Sequence, residues 1–92
     1  MISEHDKSII RTLAERYGAQ RVLMFGSTTD PARESHDIDL AVEGVPPAEF
    51  FAFYGDLMCA LSKPVDLIDL ARRNRFTELI RRDGIPIYAG PA

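Results

Sequence analysis

The sequence predicts an α+β (α/β layered) domain, a small mixed β-sheet flanked by helices. Three observations lead there. Segments with helical spacing alternate with short apolar or period-two runs, glycines and prolines fall between those segments, and no repeat, linker or low-complexity stretch interrupts the 92 residues. A chain of this length has room for a single domain, 1–92, and none for a second catalytic domain.

Ser3 caps a first helix in which Ile9, Ile10, Leu13 and Tyr17 recur at helical spacing; Asp6 suits its positive start and Gly18 its stop. Arg21 to Phe25 is an apolar run too short for a helix, closed by Gly26, and reads as a buried strand. Ser27 to His36 is polar and aperiodic, a loop containing Asp30-Pro31. Asp37 to Glu43 sets acidic or small residues against Ile38, Leu40 and Val42, the alternation of a strand with two unlike faces, and Gly44 breaks it. Pro46 and Pro47 open a helix to about Ser62. Its Phe50, Tyr54, Leu57 and Leu61 share a face that Phe51 and Phe53 cannot both join, so apolar area is left over for a partner or self-association. Val65 to Leu70 is a third strand; a helix to about Arg82, a Gly84 stop and a short Ile85 to Tyr88 strand complete the order.

Hydrophobic residues at 46% and charged residues at 27% describe a packed protein, not a disordered tail. The net charge of −3, with Arg72, Arg73, Arg75, Arg81 and Arg82 confined to the last third, disfavours general nucleic-acid binding. Those arginines read as a solvated helix face satisfied by salt bridges. Cys59 is alone in an apolar run, which excludes an internal disulfide and suggests a small buried hydrophobe. Without a membrane-length apolar run or a secretion signal, a cytoplasmic protein with no membrane role is expected.

The chemistry gathers at three acids. Asp37 and Asp39 lie two apart on a strand, so both carboxylates project from one face while Ile38 and Leu40 point to the other. Such a pair is costly unless a cation neutralises it, and hard oxygen donors suit Mg2+ shared with substrate phosphates. Asp66, between Val65 and Leu67, joins them if its strand is the neighbour in register. Three acids can hold two ions for an in-line phosphoryl displacement, with Asp66 also able to orient or deprotonate an attacking hydroxyl. Gly26 lets phosphate approach the backbone, and Ser27, with Thr28 and Thr29, offers donors. His36 reads as a surface or capping residue, and Asp69 as a helix-start charge outside the site.

Leu23-Met24-Phe25-Gly26-Ser27, nine intervening residues, Asp37-Ile38-Asp39-Leu40 and then Val65-Asp66-Leu67 resemble the signature of the polymerase-beta-like nucleotidyltransferase superfamily, in its minimal branch. The leading helix and the closing Ile80…Asp83-Gly84…Ile87-Tyr88 segment extend the resemblance over nearly the whole chain. It implies that fold, with Gly26, Ser27 and Thr28 at the triphosphate and Asp37, Asp39 and Asp66 as metal ligands and catalytic carboxylates. Thr28 stands where many members carry arginine, and Arg33 is a candidate substitute for that charge. The resemblance further implies Mg-dependent transfer of AMP from ATP to a hydroxyl of a protein partner, as the antitoxin of a HEPN-type ribonuclease toxin. The alternative is a binding module that neutralises the partner by complex formation alone.

Overall fold

The computed structural model describes residues 2–26 and 36–91. The chain runs α1 (Glu4–Arg16), β1 (Arg21–Met24), β2 (Ile38–Glu43), α2 (Pro47–Ala60), β3 (Val65–Asp69), α3 (Arg75–Asp83) and β4 (Ile85–Ala89). The strands form one sheet in the order β3-β2-β1-β4. β1 pairs antiparallel with β2 and β4, whereas β2 and β3, joined through α2, are parallel, so the sheet is mixed as the sequence predicts.

Two layers cover it. On the back face, Val22, Met24, Ile38, Leu40, Val42, Val65, Leu67 and Ile87 pack against Ile10, Leu13 and Ala14 of α1 and Phe53 and Leu57 of α2. On the front, a smaller cluster of Leu23, Ala41, Leu70 and Ile80 lies under α3. Each central strand therefore feeds one core with alternate residues and the other with the residues between, as a twofold side-chain period requires.

Two side-chain contacts tie the ends of α1 to the C-terminal half of α2 and the residues just beyond it. Ser3 Oγ accepts from the Asp6 amide at 3.1 Å and starts α1. The buried Asp6 carboxylate in turn accepts from the Ser62 amide at 3.3 Å and the Ser62 hydroxyl at 2.5 Å, just beyond α2. At the other end Tyr17 donates to Asp56 at 2.6 Å, which raises the Tyr17 pKa through that bond first and burial second. Gly18, with φ +72°, takes the left-handed turn that ends the helix.

α3 begins at a reciprocal cap: Asn74 Oδ1 accepts from the Thr77 amide at 2.9 Å while Thr77 Oγ1 accepts from the Asn74 amide at 3.1 Å. Further along, Arg81 is not the solvated arginine the charge pattern suggests. Its side chain is only 14% exposed, bonds Glu43 at 2.7 Å and the Leu70 carbonyl at 2.6 Å, and so pins α3 to β2 and to the end of β3. Arg21 holds the other oxygen of Glu43 at 2.9 Å.

Two other expectations are corrected. Cys59 is exposed, because α2 turns Phe53 and Leu57 inward and leaves Cys59 on its outer side. Asp69 does not start a helix: α3 begins later, at Arg75, and the Asp69 carboxylate accepts from the Ala71 amide at 2.9 Å in the turn after β3. The apolar area expected to be left over on α2 is found at Phe51, 79% exposed, and Met58, 59% exposed, while Phe53 lies fully inside. Among the described residues no helix is long and apolar enough to cross a membrane.

The Arg81 and Arg21 bonds hold the Glu43 carboxyl below its ordinary range, Arg81 contributing most. A depressed carboxylate stabilises the fold above its unfolded pKa and loses that contribution as pH falls through the folded value. Glu43→Gln, which leaves Arg81 largely buried beside a neutral partner, is expected to lower Tm at neutral pH by roughly 4–8 °C per kcal/mol lost, with about 1–2 kcal/mol at stake. Thermal melts from neutral to acid pH should show a shallower decline for the variant than for the parent.

Candidate active site

Front-face residues of β2 and β3 that α3 does not cover make the site. β2 sends Ile38 and Leu40 into the back core, so Asp39 between them must face the front, where it is partly exposed. β3 does the same with Val65 and Leu67 around Asp66, which is exposed. In the parallel register Asp39 lies directly opposite Asp66, with backbones about 4.8 Å apart as in any hydrogen-bonded pair of strands. The condition set by the sequence for Asp66 is met. Asp37 departs from its expected place: β2 begins at Ile38, so Asp37 precedes the strand and is exposed rather than fixed by the pleat.

Asp39 responds to both of the other acids. The Asp39 pKa is raised above the ordinary aspartate value, by burial first, then by the negative charges of Asp66 and Asp37. Glu43, on the same face of the same strand, is shifted the opposite way by two arginines. One strand thus carries a carboxylate held by two arginines and, four residues earlier, a carboxylate beside two other acids.

The end of β1 closes on Asp39. The Phe25 amide donates to the Asp39 carbonyl at 3.2 Å, extending the pairing beyond Met24. Gly26 follows with φ +64°, and a Cβ there would stand 2.7 Å from Asp39 Oδ2. A side chain there would be strained by the backbone conformation and would require the Asp39 carboxylate to shift, so glycine suits both the turn and the gap. The sequence marks Gly26 but passes over Phe25, whose backbone sets this approach; a strand residue next to a glycine gives little sign of that.

Ser27, Thr28 and Arg33 lie outside the described residues, and of the triphosphate residues Gly26 alone is placed. The donor set suits Mg2+, being hard oxygen and mutually repulsive without a cation. As the side chains lie, no group of three among the described residues encloses an ion. Asp37 and Asp66 are both exposed, whereas Asp39 is partly buried.

Residues 7–90 match the model of the polymerase beta nucleotidyltransferase domain. The chain belongs to that family. Among solved structures, a chain described as a minimal nucleotidyltransferase is 30% identical, with a TM-score of 0.69 and 87% of each chain covered. A toxin–antitoxin structure with AMP-PNP aligns at TM-score 0.73 and 22% identity, over 91% of this chain and 73% of that one. A MntA-HepT toxin–antitoxin structure aligns at 0.71 and 20%, over 96% and 74%. No curated protein matches the sequence. The nucleotidyltransferase fold expected from the sequence is therefore the fold found.

In this nucleotidyltransferase the raised Asp39 pKa has a definite sign: its charged form is penalised in the folded state, so the metal-free protein gains stability as pH falls through the raised value. Asp39→Asn removes that penalty together with the carboxylate that a metal ion would use. Metal-free melts at neutral pH should show the variant a few degrees more stable than the parent. Millimolar Mg2+ should raise Tm for the parent and leave the variant unmoved; equal Mg2+ shifts in both would show that Asp39 holds no ion.

Proposed function

We propose that this nucleotidyltransferase moves AMP from ATP to a hydroxyl of a protein partner, with Asp37, Asp39 and Asp66 holding Mg2+ and Gly26, Ser27 and Thr28 at the triphosphate. One observation carries the reading: Asp39 and Asp66 stand side by side across parallel strands, with the Gly26 backbone closed over Asp39. Bound there, Mg2+ supplies positive charge to the phosphates, and three carboxylates have the charge for two ions. The partner's hydroxyl oxygen forms the new bond to the α-phosphorus as the bond to pyrophosphate breaks. Its proton passes to a carboxylate, for which exposed Asp66 at the site's outer edge is assigned.

Similarity of fold to chains of toxin–antitoxin structures supports an antitoxin role, and the resemblance to the minimal branch supports a HEPN-type toxin as partner. The cytoplasm, where ATP and Mg2+ are abundant, is the assigned compartment. The face of α2 that shows Phe51 and Met58 is the assigned contact surface, for the toxin or for a second copy.

Intact mass spectrometry of a candidate toxin incubated with the protein, ATP and Mg2+ tests this directly. The toxin should gain one AMP with the parent and none with the Asp37→Asn, Asp39→Asn variant. Unchanged toxin mass together with a tight complex would instead establish the binding-only antitoxin.

A further inference from the structure

The two helices of the back layer differ on their outer sides. The exposed positions of α1 are all polar or charged, Ser8, Arg11, Thr12 and Glu15 among them, as expected of a helix facing water. Among the exposed positions of α2 only Glu49 is charged. Ala48, Phe51, Ala52, Gly55, Met58 and Cys59 recur at helical spacing within an arc of about 120°, on the side opposite the buried Phe53 and Leu57. Phe51 is 79% exposed and Met58 59% exposed, yet the Phe51 ring is already held edge to face against Phe50, 5.5 Å between centroids at 84°. An ordered aromatic left in water on an uncharged helix face marks a surface that a partner covers.

We propose that this face is covered by a second copy of the chain, with the two α2 helices packed antiparallel about a twofold axis at Gly55. The inference commits the contact surface assigned above to one occupant and takes from the proposed function only the location of the acid site.

Three observations favour the second copy. Side-chain sizes along the face complement themselves: with Gly55 opposite its mate, Phe51 of one copy meets Cys59 of the other and Ala52 meets Met58. Each bulky side chain then falls against a small one, and the glycines let the backbones approach. A parallel pair would instead set Phe51 on Phe51 and Met58 on Met58, holding the helices apart at Gly55. Charge does not oppose the pairing, because Glu49 and Asp56 lie to the side of the face and Asp56 accepts from Tyr17 at 2.6 Å. Finally, α2 packs on the back of the sheet whereas Asp39 and Asp66 face the front, so a body on its outer side is separated from the acids by the sheet and a helix about 10–12 Å across. An acceptor docked there alone would not bring its hydroxyl to the acids, whereas a second copy leaves both front faces open. A helix of 14 residues is about 21 Å long, so the pair falls at the small end of protein interfaces and a dissociation constant of roughly 1–100 µM is expected.

Sedimentation equilibrium of the full chain from about 5 to about 500 µM, with no nucleotide present, tests the inference. The parent should pass from monomer to dimer over that range. A Cβ at Gly55 meets nothing within 4 Å in the single chain, so Gly55→Leu should fold and, at concentrations where both proteins are monomeric, keep or raise Tm. The same variant should weaken dimerisation roughly tenfold or more, and Phe51→Ser should act in the same direction. Orientation has its own readout. In a Cys59→Ser background, Gly55→Cys should cross-link under mild oxidation, whereas the exposed Cys59 thiols of the parent, set about 12 Å apart along the antiparallel pair, should not. A parent that stays monomeric throughout, dimerisation indifferent to Gly55→Leu, or cross-linking through Cys59 but not through position 55 would overturn the inference. Since none of these measurements uses nucleotide, such results leave the acid-site reading standing, and a failure of AMP transfer leaves the dimer standing.

Discussion

The register between β2 and β3 is the constraint on which the rest depends. Five apolar side chains, Ile38, Leu40, Val42, Val65 and Leu67, set it by filling the back core from two adjacent strands. A slip of one residue would turn those side chains to the front and the acids to the back, so the register is held by the whole hydrophobic face. Asp39 and Asp66 stand opposite each other as a consequence, against their mutual repulsion, because core burial outweighs one unfavourable pair at a solvated surface. The fold thus keeps a local cost in place that an ion and its phosphates can relieve, which fits the observation that strain and perturbed charge collect where a protein binds its substrate.

How the front face is divided follows from the length of α3. With nine residues it covers Leu23, Ala41 and Leu70, with Phe25 and Ile68 packed partly buried against that cluster. Arg81 closes the covered part by spanning Glu43 and the Leu70 carbonyl. The acids lie on the part that α3 leaves uncovered, and the same helix exposes Phe76 and Leu79. Opposite pKa shifts at Glu43 and Asp39 mark that boundary in electrostatic terms: the first carboxylate is held by two arginines and the second lies beside two other acids.

Much of this was legible in the sequence because period and punctuation carry it. Alternation in Asp37–Glu43 gave the faces of β2, and the apolar flanks of Asp66 gave those of β3. What escaped depends on contacts between distant segments. The start of β2 at Ile38 is fixed by the bond from its amide to the Pro64 carbonyl at 2.8 Å, a partner 26 residues away in the chain, so Asp37 fell outside the strand. Arg81 looked like one of five similar arginines until the fold brought Glu43 and Leu70 to it. Cys59 has apolar neighbours in sequence, but helical geometry sends neighbours to different faces, and only Phe53, Leu57 and Leu61 set which face is inside.

An open site also bears on mechanism. Phosphoryl transfer asks a protein mainly for positioning and for charge placed where charge develops, and both are stronger when water is excluded. The described chain supplies placement: a rigid sheet under Asp39 and Asp66, and a glycine that brings backbone to the acid. It does not supply enclosure, since Asp37 and Asp66 face solvent. In the proposed reaction the acceptor protein therefore has two tasks, to bring the hydroxyl and to cover the site. The same contact that seats the acceptor would dry the phosphates and strengthen every charge on them, so transfer to a bound partner would be favoured over transfer to water.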